Sequence, residues 1–512
     1  MMFWIIYFIT VVYWHVFEVI SAHAFLNLFL CLFVFFPIPE NIYKKHLITI
    51  IKNSLGVILG AVLLWHESYL PPVLTLWNFL IDPELRPSST FLWRFFLSEI
   101  NIKIFIFAVP TIIFSYILSR TKFKKYFGAF FLICFLIIGF TEKTSVTGDL
   151  FGNFYENESK KVVKFIDNPN NDFDIVILQL CSFAWADFNE VDYNLRQFFN
   201  KFDYIFTDFN SATSYSNPAV IRLLRSTCGQ STETKLFAEA NKSCYLLEGL
   251  RGVGYTPYTL LNHDGIYAGF NQEIIKYGKA PQPLNNSELK LIQTNFDGAP
   301  TYSDKDSLLF WLDSRKKDPS LKTVLVYNST TLHTGSRYIE SPYLASHEQY
   351  SLALKNIISD LDSFFVDLKK SNKNTIVIIV GEHGAALKGS TIQPGTVREI
   401  PLPSITKTPV AIKLFGPNFN NEDGGEPILV NQPTSYFAIA ELLEKIIEVS
   451  PTDKAQLPSI EFSPEAYPEF VSENETGFVV KTKLGLFYRL KKYKTWDIIP
   501  SSIEPRSQNY FK

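Results

Sequence analysis

The chain has 512 residues, which is long enough for more than one domain, and 47% of them are hydrophobic. The formal net charge of −2 and the lack of a basic patch with interleaved aromatic residues argue against a nucleic-acid-binding protein. Apolar residues are concentrated before residue 142, and the rest of the chain has an ordinary globular composition. The sequence therefore predicts a membrane region followed by a soluble region.

Five apolar stretches in the N-terminal region approach the length of about 20 residues that a helix needs to cross a bilayer. They are residues 3–20, 24–38, 47–65, 102–118 and 126–141. The second and the fifth are short, and a buried core helix is the alternative for a stretch of that length. His15 and Glu18 are ionisable, and such groups in a span usually face a partner or a cavity, unless they lie at the membrane edge.

Basic residues between these stretches predict the topology. The clusters are Lys44 and Lys45 after the second stretch, and Arg120, Lys122, Lys124 and Lys125 after the fourth. Positive residues mark cytoplasmic loops, so five spans put both clusters in the cytoplasm and everything after about residue 142 outside. The first stretch lacks a basic start and is expected to be an uncleaved anchor. We therefore predict a transmembrane domain at 1–141, a linker at 142–172 and a periplasmic domain at 173–512.

Strand and helix patterns alternate from residue 174 to about residue 445, which predicts an α/β sheet covered on both faces. Buried strands are predicted at 174–180, 323–327, 374–380 and 409–415, and a short strand at 204–209. Helices are predicted at 156–164 and 350–369, and a hairpin at 478–490. Ligands of open α/β sheets bind at the carboxyl ends of the strands, so the residues that follow these strands are the candidates for a functional site.

Side chains that bind metals follow three of the predicted strands. Cys181 follows the first strand, His333 lies a few residues beyond the third, and Glu382 and His383 follow the fourth. Cysteine, histidine and carboxylate together make a ligand set suited to zinc. The alternative is that Cys181 is a buried small apolar residue and that the Glu382-His383 pair holds no ion.

A candidate nucleophile lies in the serine-rich segment 210–218, between a short strand and an apolar helical pattern. Pro218 suits a first helical turn, which puts Ser216 just before a helix N-terminus, where free N–H groups and the helix dipole favour an anion. A metal-bound hydroxyl at this point ionises more readily and can attack phosphorus. The alternative is that Ser211, Ser214 and Ser216 only cap the helix.

The remaining cysteines agree with an exported C-terminal region. Cys31 and Cys134 lie in predicted spans and are expected to be inert. Cys228 and Cys244 flank a short polar loop and are free to form a disulfide in an oxidising compartment. The alternative is two unrelated thiols.

Several motifs together resemble one known family. They are Cys181-Ser182 with Trp185 and Asp187, the segment from Phe209 to Ser216, Leu223-Leu224-Arg225 with Cys228-Gly229-Gln230, and Glu382-His383-Gly384 followed by Ala386-Leu387-Lys388-Gly389 and Arg398. They resemble the cellulose phosphoethanolamine transferases of bacterial cellulose biosynthesis, which are inner-membrane members of the alkaline phosphatase superfamily. The resemblance spans nearly the whole chain. Sulfatases are less similar, because their motif has an arginine four residues after the nucleophile, where this chain has Val220.

The resemblance implies five transmembrane helices followed by an alkaline phosphatase/sulfatase-like α/β/α sandwich domain. It also implies a set of site residues. These are the nucleophile Ser216, the Zn²⁺ ligands Cys181, Ser216, Glu382 and His383, the substrate-site residues Tyr215, His333 and Arg398, and a disulfide between Cys228 and Cys244.

The implied activity is transfer of phosphoethanolamine from phosphatidylethanolamine to glucose hydroxyls of cellulose, through a covalent intermediate on Ser216. Arg398 would grip phosphoryl oxygens, and His333 would act as general acid or base. The implied location is the bacterial inner membrane, with subunits of the cellulose synthase complex as partners. Two alternatives stay open: transfer to lipid A or another periplasmic glycan, and a non-enzymatic role of the membrane region as a scaffold for the glucan synthase.

Overall fold

The computed structural model describes residues 2–16, 22–36, 38, 45–67, 112, 113, 116, 126–141, 151–317, 321–371, 373–390, 392, 393, 395–417, 419, 426–459, 470–491 and 495–499. These residues fall into two compact units. The first contains the N-terminal helices, and the second contains the described residues from 151 to 388 and from 395 onward.

The first unit is built from apolar helices. They are α1 (Met2–Val16), α2 (Ala24–Phe35), α3 (Lys45–Glu67) and α4 (Phe127–Thr141). The Phe8 ring lies 5.4 Å and 5.6 Å from the rings of Phe131 and Phe135, so α1 packs against α4. Asn27 of α2 donates a hydrogen bond to Glu67 at the end of α3, which joins these two helices.

Among the described helices, one is long and apolar enough to cross a membrane, at His46–Glu67. The helices over the first, second and fifth predicted stretches are shorter, between 12 and 15 residues. Three other features lie outside the described residues. They are Glu18, the basic cluster at 120–125, and the fourth predicted stretch apart from residues 112, 113 and 116. The Nδ1 atom of His15 accepts a hydrogen bond from the backbone of Ala22 at 3.4 Å. Five spans therefore stay a prediction.

The second unit contains helices between and around the strands of three sheets. The helices are α5 (Gly152–Glu158), α6 (Trp185–Glu190), α7 (Arg196–Phe199), α8 (Ser216–Leu224), α9 (Glu233–Leu236), α10 (Leu246–Gly252), α11 (Phe270–Gly278), α12 (Asp304–Arg315), α13 (Ser346–Ser371), α14 (Pro403–Thr406) and α15 (Tyr436–Val449), with short 3₁₀ turns at Lys242–Cys244, Tyr267–Gly269 and Lys454–Gln456. The strands are β1 (Asp174–Leu180), β2 (Tyr204–Asn210), β3 (Tyr255–Leu261), β4 (Leu291–Thr294), β5 (Pro300–Tyr302), β6 (Lys322–Ser329), β7 (Arg337–Tyr338), β8 (Thr375–Gly381), β9 (Lys407–Phe415), β10 (Ile428–Val430), β11 (Phe470–Glu473), β12 (Gly477–Thr482), β13 (Gly485–Leu490) and β14 (Asp497–Ile498).

The main sheet has the strand order β10-β2-β9-β8-β1-β6-β3. β1 pairs in parallel with β6 and β8, and β3 pairs in parallel with β6. β9 runs antiparallel to both of its neighbours, so β2 points in the same direction as β8. The carboxyl ends of β1, β2, β3, β6 and β8 therefore lie at one edge of the sheet. The four predicted buried strands and the short strand predicted at 204–209 are confirmed.

Residues of β1 alternate between two buried layers. Ile175 and Ile177 pack in a core that includes α15, whereas Val176 and Leu178 pack in a core that includes α13. Successive side chains of a strand point to opposite faces, so helices cover both faces of the sheet. The predicted α/β architecture is confirmed, and the helix predicted at 350–369 is the central part of α13.

The C-terminal tail forms a separate antiparallel sheet of β11 to β14. The predicted hairpin is confirmed: β12 and β13 pair from Gly477 opposite Leu490 to Thr482 opposite Gly485. The Glu473 backbone N–H donates to the carbonyl of Ala212 at 3.0 Å, which ties this sheet to the segment that follows β2. The helix predicted at 156–164 is observed at Gly152–Glu158, so the prediction is wrong for residues 159–164.

Candidate active site

The carboxyl ends of β1 and β8 bring Cys181, Glu382 and His383 together. Leu180 is in register with Gly381, so the residues that follow these two strands are neighbours. The Glu382 backbone N–H donates to Leu180 at 2.9 Å, which extends the ladder beyond β8. A Cβ atom on Gly381 would lie 2.2 Å from the carbonyl oxygen of Phe183, so glycine is required here.

Four side chains converge within this region. The Cys181 Sγ atom lies 3.7 Å from His383 Nε2 and 3.7 Å from Ser216 Oγ. His383 Nε2 lies 3.2 Å from Ser216 Oγ and 3.8 Å from Glu382 Oε2. Tetrahedral zinc with bonds of about 2.0–2.3 Å has ligand-to-ligand distances of roughly 3.3–3.6 Å, close to those seen here.

The donor atoms fit a cation. Glu382 Oε2 is buried and has no hydrogen-bond partner among the described residues, while Oε1 accepts a hydrogen bond from Asn328. Burial raises the pKa of Glu382 to about 7 and, together with the charge of Glu382, raises the pKa of Cys181 to about 12. A divalent cation would compensate both anionic forms, and the thiolate, imidazole and carboxylate are the donors that zinc prefers.

His383 presents one ring nitrogen to the cluster. Its Nδ1 atom lies 2.9 Å from the carbonyl oxygen of Gly384, and an Nδ1–H donor there leaves the Nε2 lone pair facing Cys181 and Ser216. Burial and then the charge of Arg398 hold the pKa of His383 well below its usual value. The imidazole is therefore neutral, as a metal ligand must be.

Asp187 anchors the loop that follows His383. It accepts hydrogen bonds from the backbone of Ala385 at 2.6 Å and of Leu387 at 3.0 Å. A Cβ atom on Gly384 would lie 2.7 Å from the same carboxylate, so the loop needs glycine at that position. The motif residue Asp187 therefore fixes the backbone beside the cluster, and its two carboxylate oxygens are engaged by that backbone.

Ser216 is the first residue of α8, and Tyr215 is its N-cap residue. Ser211 donates to the carbonyl of Thr213 at 3.1 Å, and Ser214 donates to the carbonyl of Arg398 at 2.7 Å. The alternative in which Ser211 and Ser214 cap the helix is therefore wrong.

Arg398 lies against the cluster. Its Nη1 atom is 2.9 Å from Nδ1 and 3.3 Å from Nε2 of His383, and its guanidinium carbon is 5.8 Å from the centre of the Tyr215 ring. The Tyr215 hydroxyl donates to Glu399 at 2.9 Å. Tyr215 therefore contacts this segment twice, with its ring near Arg398 and with its hydroxyl on Glu399.

His333 lies within electrostatic range of Arg398 and His383. Its ring stacks on Phe296 with a centroid distance of 5.0 Å, and its Nδ1 atom has no hydrogen-bond partner among the described residues. Burial, and then the charge of Arg398, lowers the pKa of His333 to about 3. His333 is therefore neutral beside the cluster and is not one of its converging atoms.

Two site residues were not predicted from the sequence. Asn328 contacts Glu382 from β6, and Asn474 of the tail donates to the carbonyls of Arg398 and Glu399 at 3.2 Å and 2.9 Å. Asn328 could have been found if the predicted strand at 323–327 had been extended to its observed end at Ser329. Nothing in the sequence near Asn474 indicates a contact with Arg398.

The predicted disulfide between Cys228 and Cys244 is present, with Cα atoms 4.8 Å apart. Cys181 is a buried free thiol in the cluster, and Cys31 and Cys134 lie in α2 and α4. Among the described residues of the second unit, the one free thiol therefore lies at the candidate site.

Comparisons with known proteins were made with both sequence and structure. The family model described as the cellulose biosynthesis protein BcsG C-terminal domain matches residues 141–496, and the model of the BcsG N-terminal domain matches residues 4–126. The cellulose biosynthesis protein BcsG of Escherichia coli (strain K12) is 29% identical over 522 residues, covering 92% of this chain and 91% of the relative. That of Salmonella typhimurium is 28% identical over 477 residues, covering 84% of each.

Solved structures are similar at lower identity. A protein in the alkaline phosphatase superfamily from Vibrio parahaemolyticus has a TM-score of 0.47 at 14% identity, over 68% of this chain and 90% of that one. The integral membrane protein lipooligosaccharide phosphoethanolamine transferase A (EptA) from Neisseria meningitidis has a TM-score of 0.42 at 13% identity, over 82% of this chain and 94% of that one.

Proposed function

The chain belongs to the BcsG family of cellulose biosynthesis proteins, and we propose that it transfers phosphoethanolamine from phosphatidylethanolamine to glucose hydroxyls of cellulose. The family name supports cellulose as the acceptor, and the motif resemblance supports the phosphoethanolamine donor. We propose that Cys181, Glu382, His383 and Ser216 hold Zn²⁺ in an alkaline phosphatase-like domain on the periplasmic side of the inner membrane.

One observation carries this proposal: a serine hydroxyl lies 3.2–3.7 Å from a thiol and an imidazole at the N-terminus of a helix, with an arginine against the same imidazole. A hydroxyl in this position is suited to attack on a phosphoryl group, because the helix N-terminus and Arg398 both favour negative charge on the phosphoryl oxygens. When bound, zinc would lower the pKa of the hydroxyl and stabilise the charge that develops on the phosphoryl group.

In the first half of the reaction, Ser216 Oγ releases its proton to solvent and bonds to the phosphorus of the donor lipid. The bond from phosphorus to the diacylglycerol oxygen breaks, and that oxygen takes up one proton from solvent. Arg398 offers two parallel N–H donors to the phosphoryl oxygens, which matches their geometry. The product on the protein is a phosphoethanolamine ester of Ser216.

In the second half, a glucose hydroxyl bonds to the same phosphorus and releases its proton to solvent, the bond to Ser216 Oγ breaks, and the serine oxygen takes up one proton from solvent. His333 is neutral because its pKa is lowered to about 3. We therefore assign it to hydrogen bonding of the acceptor hydroxyl and not to protonation of the diacylglycerol alkoxide. Tyr215 acts by holding the Arg398 segment, since its hydroxyl is engaged with Glu399.

The test is to incubate the purified full-length protein with labelled phosphatidylethanolamine and to map the covalent adduct. We expect one phosphoethanolamine on the peptide that contains Ser216, no adduct in Ser216→Ala, and discharge of the adduct by a short cello-oligosaccharide. Ser211→Ala is the matched control, because it removes only the hydroxyl, which donates to the carbonyl of Thr213 in its own loop.

Three results would count against parts of this proposal. An adduct on another residue, or activity in Ser216→Ala, refutes the nucleophile. Discharge of the adduct by lipid A but not by the cello-oligosaccharide would agree with transfer through Ser216 and would refute cellulose as the acceptor. A wild-type protein that contains zinc but forms no adduct favours the scaffold alternative.

A further inference from the structure

A chain of three hydrogen bonds runs from the end of β3 to Glu382. The backbone N–H of Gly265 donates to His263 Nδ1 at 3.1 Å, so this nitrogen carries the lone pair and Nε2 carries the proton. His263 Nε2 then donates to Asn328 Oδ1 at 3.0 Å. Asn328 Nδ2 donates to Glu382 Oε1.

The direction of each bond follows from the one before it. A backbone N–H can only donate, so the tautomer of His263 is fixed, and the fixed tautomer determines which end of the Asn328 amide faces it. The amide end that faces Glu382 is therefore the donor. The reversed amide would set an oxygen against the carboxylate and an N–H₂ group against the imidazole N–H, which loses both bonds.

The main sheet and its core hold Asn328 and His263 in place. Asn328 lies in β6, between β1 and the edge strand β3, in register with Gln179 of β1 and Leu261 of β3, and it is 2% exposed. His263 follows β3, and its ring lies 5.1 Å from the Phe270 ring. Burial lowers the pKa of His263, in agreement with a neutral ring.

One carboxylate oxygen of Glu382 therefore accepts the hydrogen bond from Asn328, and the other is available to bind a metal ion in the cluster. Oε1 is held by Asn328, while Oε2 is buried without a hydrogen-bond partner among the described residues and lies 3.8 Å from His383 Nε2. Outer partners of this kind orient a metal ligand, and their loss commonly lowers metal affinity 10–100-fold, roughly.

We propose that Asn328 and His263 are positioning residues that hold Glu382 with Oε2 directed at the bound metal, His263 acting only through Asn328. This inference rests on the proposed zinc site. It assigns a role to a histidine and an asparagine that contact the proposed ligand Glu382 directly or through one another.

The first variant is Asn328→Asp in the full-length protein, measured by competition for Zn²⁺ with a chelator. The carboxylate has nearly the shape of the amide but repels Glu382, so we expect zinc affinity to fall by about 10-fold or more. Asn171→Asp is the matched control. Asn171 is also buried and donates to the Tyr255 hydroxyl at 2.8 Å, but it precedes β1 at the opposite edge of the sheet, so its zinc affinity should equal wild type.

The second variant is His263→Phe, which keeps a ring against Phe270 but removes both nitrogens. We expect a smaller loss of zinc affinity than in Asn328→Asp, and no further loss when the two changes are combined, because His263 acts only through Asn328. The visible spectrum of the Co²⁺-loaded protein should change in both single variants, since it reports on the ligands themselves. If Asn328→Asp does not fold, Asn328→Ser removes the amide without adding charge and should weaken zinc binding in the same way.

The results separate this inference from the proposed function. Zinc affinity equal to wild type in Asn328→Asp or Asn328→Ser refutes the role of Asn328, and independent losses in the double variant refute the ordered chain. A wild-type protein that binds no zinc refutes the metal site and this inference together. A wild-type protein that binds zinc but does not transfer phosphoethanolamine leaves the positioning role measurable and refutes the activity alone.

Discussion

Asn474 is the residue whose replacement should separate transfer from metal binding. It is fully buried, and its Nδ2 atom donates to Ser214 Oγ at 2.8 Å and to the carbonyls of Arg398 and Glu399. Its Oδ1 atom accepts from the backbone of Thr476 and Gly477, both at 3.0 Å. One side chain of the tail therefore holds both the loop before Ser216 and the segment that carries Arg398.

Asn474→Asp keeps the two bonds to Oδ1 but replaces the donor with an oxygen that faces two carbonyls. The Glu399 carbonyl then has no hydrogen-bond donor among the described residues, and a buried polar group left unpaired costs about 1–3 kcal/mol. The repulsion displaces the Arg398 segment, and a misplacement of roughly 1 Å at a catalytic group can cost 10²-fold in rate. We therefore expect kcat for transfer to fall about 100-fold.

The assay compares transfer rate with zinc content in the same preparations. Zinc content should stay close to the wild-type level, because three of the four proposed ligands, Cys181, Glu382 and His383, follow β1 and β8 and are not held by the tail. Asn168→Asp is the control: this side chain donates to the Glu448 carbonyl and accepts from the backbone of Asn170, far from the cluster. Asn474→Asp with wild-type transfer, or with zinc lost in proportion to transfer, would contradict the assigned role of the tail.

The disulfide and the topology give the other predictions. Peptide mapping without reduction should find the Cys228 and Cys244 peptides linked, and two free thiols would contradict this. Replacing both cysteines with serine should lower the free energy of unfolding by about 3 kcal/mol, because the disulfide closes a loop that spans 16 residues. A reporter that functions only in the periplasm should be active when it is fused after Lys512, and a reporter that functions only in the cytoplasm should be inactive there. The opposite result would refute the prediction of five spans.

The main sheet could be predicted because its strands are almost continuous runs of buried apolar residues. β1 was predicted with its observed bounds, and the reactive residues after β1 and β8 could be placed at one edge because parallel strands end together. Ser216 could be placed at a helix start because Pro218 limits where the helix begins. These are local patterns, and local patterns are what a single sequence shows.

The partners of the site residues could not be predicted, because they depend on packing between distant segments. Asn474 is 260 residues from Ser214, and its bond to that hydroxyl follows from the way the tail sheet lies against the segment after β2. His263 is 65 residues from Asn328, and the two meet only because β3 and β6 are neighbours in the sheet. Neither position has a distinctive local pattern.

The site therefore has two independent supports, and this has a consequence for how it fails. Three of the four proposed metal ligands follow β1 and β8, where the backbone ladder places them and Asn328 holds Glu382. Arg398 is fixed by Ser214 and Asn474, which belong to loops and to the tail sheet. Because the two supports share no side chain, variants of the tail should lose transfer first and variants of the hydrogen-bond chain to Glu382 should lose metal first. A phosphoryl group that bridges the metal ligands and Arg398 would couple the supports, so donor lipid should stabilise the tail sheet only in protein that holds zinc.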